Sequence, residues 1–257
     1  MTRVFHHGGL YLLLLALSAN VAFAQPELPG VGLDRTRVVY TDTPGQRGES
    51  VTFNNNSDND YLVQSWVIPP DGMVLSPAAL ASVKTDNAPF FVVPPLVRLD
   101  AHGRQVLRLL KKQGSLPQDR ESVFLLVVKA IPNTPVVAQD KNNRSSAGAL
   151  RLAMASTVKL FYRPAALPAT GIPAVAKTLR FSRSAGDLVV GNPSPFYLTF
   201  AALEVGGKRL DGDAVHWMVP PRGEMRYPLP AGAAGKVRWS LLNERGEPTP
   251  WAQAALP

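Results

Sequence analysis

Apolar residues along this chain recur in short runs separated by turn residues. In residues 49–55 (ESVTFNN), Val51 and Phe53 alternate with polar neighbours, the period of a strand with one buried face. In residues 122–131 (SVFLLVVKAI) both parities are apolar, as a central strand covered on both faces requires. Comparable runs stand at 35–41 (RTRVVYT), 61–68 (YLVQSWVI), 94–100 (PPLVRLD), 104–110 (RQVLRLL) and 149–163 (ALRLAMASTVKLFYR). About seven strands over roughly 140 residues is the pattern of an immunoglobulin-like sandwich. The Pro- and Ala-rich segment 161–173 (FYRPAALPATGIP) then interrupts the pattern and reads as an interdomain connection. Beyond it, runs at 178–184, 187–192, 196–207, 216–219, 225–229 and 237–243 predict a second, smaller β unit. No amphipathic helix is convincing in either part. The predicted fold class is all-β, with immunoglobulin-like β-sandwich domains at residues 25–165 and 169–257. The most polar stretch, 138–148 (AQDKNNRSSAG), reads as a flexible segment or a plain hairpin loop before a long strand.

The first 24 residues do not fit this pattern. They carry Arg3, an unbroken apolar run Leu10–Leu17, and small residues in Ala22-Phe23-Ala24. That is a secretory signal peptide with cleavage expected after Ala24. The run is far short of the ~20 apolar residues of a membrane span, and no later stretch approaches that length. The mature protein is therefore expected to be exported and not membrane-embedded.

Composition narrows the chemistry. There are 27 Lys+Arg against 19 Asp+Glu in 257 residues, but no basic run exceeds two, as at Lys111-Lys112. A nucleic-acid binder clusters its cations on one element, so a solvated basic surface is the better reading. Twenty-four prolines suit strands joined by turns better than long helices. With no cysteine, disulfides, thiol nucleophiles and Cys-based metal sites are excluded together. Outside the leader the histidines are His102 and His216, and neither has a partner at zinc-ligand spacing. Nucleophile-elbow, zinc-protease, P-loop and dinucleotide motifs are absent. The chain reads as a non-enzyme without cofactor or metal.

What remains is a pattern suited to binding strands. Leu150, Leu152 and Met154 fall on one side of an extended strand, with successive members roughly 7 Å apart. The residues alone allow core packing or an exposed contact stripe. Lys159 and Arg163 lie further along on the opposite parity.

Six segments then carry a resemblance: LDRTRVVY (33–40), VPPLVRLDAHGRQVLRL (93–109), LPQDRESVFLLVVKAIP (116–132), STVKLFYRPAAL (156–167), GNPSPFYLTF (191–200) and, more weakly, MVPPRGE (218–224). The chain resembles the periplasmic pilus (fimbrial) chaperones of the chaperone–usher pathway, the PapD-like family. The resemblance implies two immunoglobulin-like domains arranged as a boomerang around a binding cleft. It implies that Arg37 and Lys159 anchor the terminal carboxylate of an incomplete pilus subunit. It places the donor-strand stripe on Leu150, Leu152 and Met154, and an interdomain ionic cluster on Glu121, Arg163 and, by a weaker match, Glu244. The alternative for that cluster is a surface pair worth little.

The implied function is a periplasmic, ATP-independent chaperone. It would stabilise pilus subunits by donor-strand complementation and deliver them to an outer-membrane usher. A self-capping homodimer of the free protein is left open. The rival is a secreted structural or adhesive pilus subunit, which would carry its stripe at the mature amino terminus. Residues 25–32 (QPELPGVG) show none. The segment 133–149 exceeds the short-loop class, while the cysteine pair common in the long-loop class is missing, so the subclass stays open. Because Lys159 and the stripe have opposite parity, the chain or its partner is expected to turn near residues 155–158.

Overall fold

The computed structural model describes residues 30–70, 88–133, 152–210, 212 and 217–257. The leader, the 138–148 stretch, Leu150 and His216 lie outside the described residues. The first sandwich pairs a four-stranded sheet with a five-stranded one. The four-stranded sheet runs in the order β1 (Val31–Leu33), β3 (Glu49–Asn55), β7 (Arg104–Lys111), β5 (Phe90–Val93). The five-stranded sheet runs β2 (Arg37–Asp42), β9 (Met154–Pro164), β8 (Ser122–Pro132), β4 (Tyr61–Ile68), β6 (Leu96–Leu99).

Alternation decides what lies between them. Val51 and Phe53 of β3 and Leu107 and Leu109 of β7 meet Phe124, Leu126 and Val128 of β8 and Leu160 and Tyr162 of β9. The expectation that β8 is covered on both faces holds. Its other parity packs Leu125 and Val127 against Ile68 and Trp66. On that same face Val123 packs with Phe161 and with Met218 from the second domain.

The second sandwich has one sheet of β10 (Arg180–Ser184), β11 (Asp187–Asn192) and β14 (Gly223–Pro228). Its other sheet runs β13 (Lys208–Arg209), β12 (Phe200–Val205), β15 (Lys236–Leu241), β16 (Ala252–Ala255). Buried Phe181, Phe196, Phe200, Tyr227 and Trp239 dominate its core. The two domains share a corner that the sequence reading did not notice. Asn55 accepts hydrogen bonds from the N and Oγ of Ser57, and Asn192 does the same with Ser194. Each buried asparagine also donates Nδ2 to backbone carbonyls, satisfying groups that burial would otherwise leave costly.

Three expectations are corrected. The segment 161–173 is not simply a connection: β9 continues through Pro164, and a one-turn helix, α1 (Gly171–Val175), begins inside it. The 3₁₀ turn Ala176–Thr178 follows, with Ile172 and Ala176 buried in the second core and the Trp239 indole donating to the Ala176 carbonyl at 2.9 Å. The run 196–207 forms a strand only from Phe200, with Leu198 held by an isolated bridge to Val219, so the described part of 216–219 is no full strand either.

Candidate functional site

Two strands with different partners create the site. β2 runs parallel to β9, from Arg37 beside Lys159 to Asp42 beside Pro164. β8 runs antiparallel along the other edge of β9, from Ser122 beside Tyr162 to Ala130 beside Met154. Residues 159–162 are therefore paired on both edges. Among the described residues, Met154–Val158 pair only with β8, and the edge that β2 occupies further along is open. An open strand edge presents a row of unpaired N–H and C=O groups to another chain.

Pairing with β8 continues without a register shift through 155–158, so the expected turn of the chain there is not found. Unbroken alternation sends Leu160 and Tyr162 into the first core and packs Val158 against it. It places Met154 on the same side of the strand, beyond that packing and 43% exposed, while Leu152, two residues earlier, is 66% exposed. The core reading of the stripe therefore fails for these two residues.

The opposite parity carries the cations. Arg37 is 5% exposed. Its Nη1 donates to two second-domain carbonyls, Leu242 at 3.3 Å and Asn243 at 3.2 Å. The guanidinium lies 5.6 Å from the centre of the Phe161 ring, a favourable cation–π arrangement. Lys159 sits beside it on the neighbouring strand. Burial, reinforced by the Arg37 charge, pulls the Lys159 ammonium down to about 8. Burial also lowers Arg37 from its ordinary value, against the opposing pull of Glu121 and Glu244.

Glu121, Arg163 and Glu244 come together across the domain boundary. Arg163 Nε donates to Glu121 Oε1 at 2.8 Å, and its Nη1 donates to Glu244 Oε1 at 3.1 Å. The pair is no surface contact: the Arg163 side chain is 12% exposed and that of Glu121 1%. Glu121 Oε2 accepts from the Tyr197 N–H at 2.8 Å, and Glu244 Oε1 accepts from the Ile172 N–H at 2.9 Å. Burial pushes the Glu121 carboxyl above its usual range, while Arg163 and the Tyr197 amide pull it back. Arg163 also stacks over Phe196 at 4.6 Å, and its buried Nη2 has no partner. Among the described residues, Arg37, Lys159 and Arg163 thus lie at one boundary with the carboxylates of Glu121 and Glu244.

Sequence reading passed over three contributors. Phe161 supplies the ring beneath Arg37, and Tyr197 and Met218 bring the second domain onto the β9 face. The carbonyls of Leu242 and Asn243 hold the arginine, and no side-chain pattern announces a carbonyl. No group of His, Cys, Asp or Glu suited to a metal is found among the described residues.

Two immunoglobulin-like sandwiches thus meet at a boundary that carries buried cations, with a half-open strand leading into it, and comparison with known proteins gives this arrangement its class. Residues 30–168 match the family model described as pili and flagellar-assembly chaperone, PapD N-terminal domain. Residues 174–252 match that of the pili assembly chaperone PapD, C-terminal domain, and the chain belongs to this family. It is 38% identical over 223 residues to the chaperone protein FimC of Escherichia coli K12, covering 86% of this chain and 82% of FimC. It is 36% identical over 238 residues to the chaperone protein LpfB of Salmonella typhimurium LT2, covering 91% and 90% of the two chains. Among solved structures, the Salmonella enterica SafA pilin in complex with the SafB chaperone matches with a TM-score of 0.72 at 30% identity, covering 90% of this chain and 99% of the other. The periplasmic chaperone SfaE matches with a TM-score of 0.66 at 32% identity, covering 87% and 98%.

Proposed function

We propose that this chain captures pilus subunits in the periplasm by lending them a strand, and passes them to an outer-membrane usher. The observation that carries the reading is the open β9 edge at Met154–Val158, which ends at the cations Arg37 and Lys159. A subunit lacking its last strand would pair with that edge while Leu152 and Met154 enter its groove, each worth roughly 1.5–3 kcal/mol when fully buried. Its terminal carboxylate would accept charge-assisted hydrogen bonds from Arg37 and Lys159. Because β9 runs towards Lys159, a strand whose carboxyl end lies there runs parallel to β9. Leu150, outside the described residues, is kept as the third position of the stripe on its spacing in the sequence. Buried Glu121, with partly buried Arg163 and Glu244, would hold the domains at the angle the cleft requires. Residues 1–24 act as the cleaved export signal.

The test is co-purification from the periplasm with the pilus subunits of the same organism. A stable one-to-one complex is expected, lost in Arg37→Ala and in Lys159→Ala while both variants remain folded. Removing one partner of a desolvated charge pair costs several kcal/mol. Wild-type capture by both variants would show that the anchor is misassigned.

A further inference from the structure

The cleft's buried arginine is held from the other domain. Arg37 opens β2 in the first sandwich, yet both hydrogen bonds of its Nη1 run to carbonyls of the second, at Leu242 and Asn243. Asn243 begins a turn that is tied to itself through Arg245, Gly246 and Glu247. Its Oδ1 accepts the N–H groups of Arg245 at 2.9 Å and Glu247 at 3.0 Å. Its backbone N donates to the Glu247 carbonyl at 2.8 Å, and Gly246 N returns a bond to the Asn243 carbonyl at 3.0 Å. The Glu247 carboxylate closes the turn on Asn243 Nδ2 at 3.0 Å and Arg245 Nε at 3.1 Å. The Asn243 carbonyl thus serves the turn and Arg37 at once.

The turn also presses directly on the start of β2. Gly246 has φ +84, and a Cβ placed there would collide with Thr36 Oγ1 and come within 3.9 Å of Arg37 Nε. A residue with a side chain is excluded twice, by conformation and by the close approach. Glu244 of the same turn holds Arg163 and the N–H of Ile172 in the first turn of α1. One short turn therefore grips two of the three cleft cations.

We infer that the Asn243–Glu247 turn of the second domain is a positioning element for the carboxylate anchor, fixing the Arg37 guanidinium through the Asn243 carbonyl and that of Leu242 just before it, with Asn243 and Gly246 as its determining residues. The inference rests on the anchor reading given above. It makes selectivity for a free carboxyl terminus a property of both domains, although both anchor cations belong to one. A flexible arginine would have to be ordered at each binding event, whereas a held one is ordered in advance.

The experiment uses the full mature chain and a short labelled peptide alternating valine with threonine, made once with a free terminal carboxylate and once as the amide. Wild type should bind the acid more tightly than the amide. Asn243→Ala should reduce that preference about tenfold, the scale of one charge-assisted hydrogen bond (about 1.4 kcal/mol), while leaving amide affinity unchanged. Gly246→Val should do the same. If that variant does not fold, Asn243→Ala carries the test. In an Arg37→Ala background the preference should already be gone, and Asn243→Ala should change nothing further. A full acid preference in Asn243→Ala overturns the inference, as does an equal loss of acid and amide binding, which marks a merely structural turn. A wild type without acid preference overturns the anchor reading itself, and the positioning role with it.

Discussion

Replacing Leu152 with aspartate separates the donor-strand reading from ordinary packing, because the two predict opposite results. The Leu152 side chain is 66% exposed, so only about a third of its area is already buried in the free protein. Full burial of a leucine is worth roughly 1.5–3 kcal/mol, so the folded chain risks about 0.5–1 kcal/mol at this position. For a domain of this size that is a drop of about 2–6 °C in melting temperature. The other two thirds, about 1–2 kcal/mol, becomes available only when a partner covers the residue. Aspartate forfeits that gain and adds the cost of an unpaired carboxylate in an apolar groove, typically several kcal/mol. The combined loss, at least about 3 kcal/mol, weakens capture more than a hundredfold.

The assay is a thermal melt of the isolated variant together with its affinity for a co-expressed pilus subunit. Ala155→Asp is the control: Ala155 is exposed and its side chain points to the other face of the strand. It should hurt capture less. A collapse in the melting temperature of Leu152→Asp, or subunit binding at wild-type strength, would refute the argument at this position.

Three further outcomes are expected. Lys159 holds its proton only to about pH 8 in the folded protein, against 10.5 for an ordinary lysine. The unfolded chain therefore binds more protons between those values, so this residue's contribution to stability rises from pH ~8 to ~10.5 while carboxylate capture weakens over the same window. Melts and affinities measured across that range check both signs, and capture that stays constant in wild type would remove Lys159 from the anchor. Glu121→Ala leaves Arg163 buried with Glu244 as its remaining carboxylate partner, and should lower stability by about 3–5 kcal/mol in calorimetry; an unchanged unfolding transition would mean the cluster is not what holds the domains. Amino-terminal sequencing of the periplasmic protein should begin at Gln25, and a start upstream of residue 20 would contradict cleavage after Ala24.

What the residues disclose in advance depends on whether side chains or backbone do the work. Strands β3, β4 and β11 begin and end where apolar runs and turn residues put them, and β3 buries one parity, with Val51 and Phe53, against a complete core. The short strands β1, β5, β13 and β16 were missed because they are two to four residues long, too brief for a period to show. The five-residue helix α1 fails for the same reason: it is held by the burial of Ile172 and by the Glu244 carboxylate, not by an amphipathic repeat. Within the cleft, Arg37 and Lys159 stand out as charged residues in apolar strands. The burial of the Glu121–Arg163 pair does not, because its partners lie 42 positions apart and are covered by the second domain. The carbonyls that hold Arg37 belong to a turn whose sequence gives no hint that an arginine from the first sandwich ends there.

The opposed parity of the stripe and Lys159 becomes consistent once β2 is considered as an occupant of the β9 edge. β2 lies parallel to β9 and begins at Arg37, beside Lys159. A partner strand that runs parallel to β9 along Met154–Val158 occupies the same lane, and its carboxyl end points at the first residue of β2. The stripe then meets the partner through one face of the sheet, while the carboxylate meets Arg37 and Lys159 end-on, in the plane of the backbone. No turn in β9 is needed, in keeping with its unbroken pairing to β8. The same geometry limits the hazard of the open edge. Met154–Val158 is only five residues long, is held straight by β8, and is closed at one end by β2, so a long-lived edge-to-edge mispairing has little room to extend. A longer gap would offer more backbone to any passing strand. A shorter one would leave Leu152 and Met154 too few backbone hydrogen bonds to hold them in register. On the proposed reading, the start of β2 at Arg37 would set both the length of strand that can be lent and the point at which the carboxylate stops.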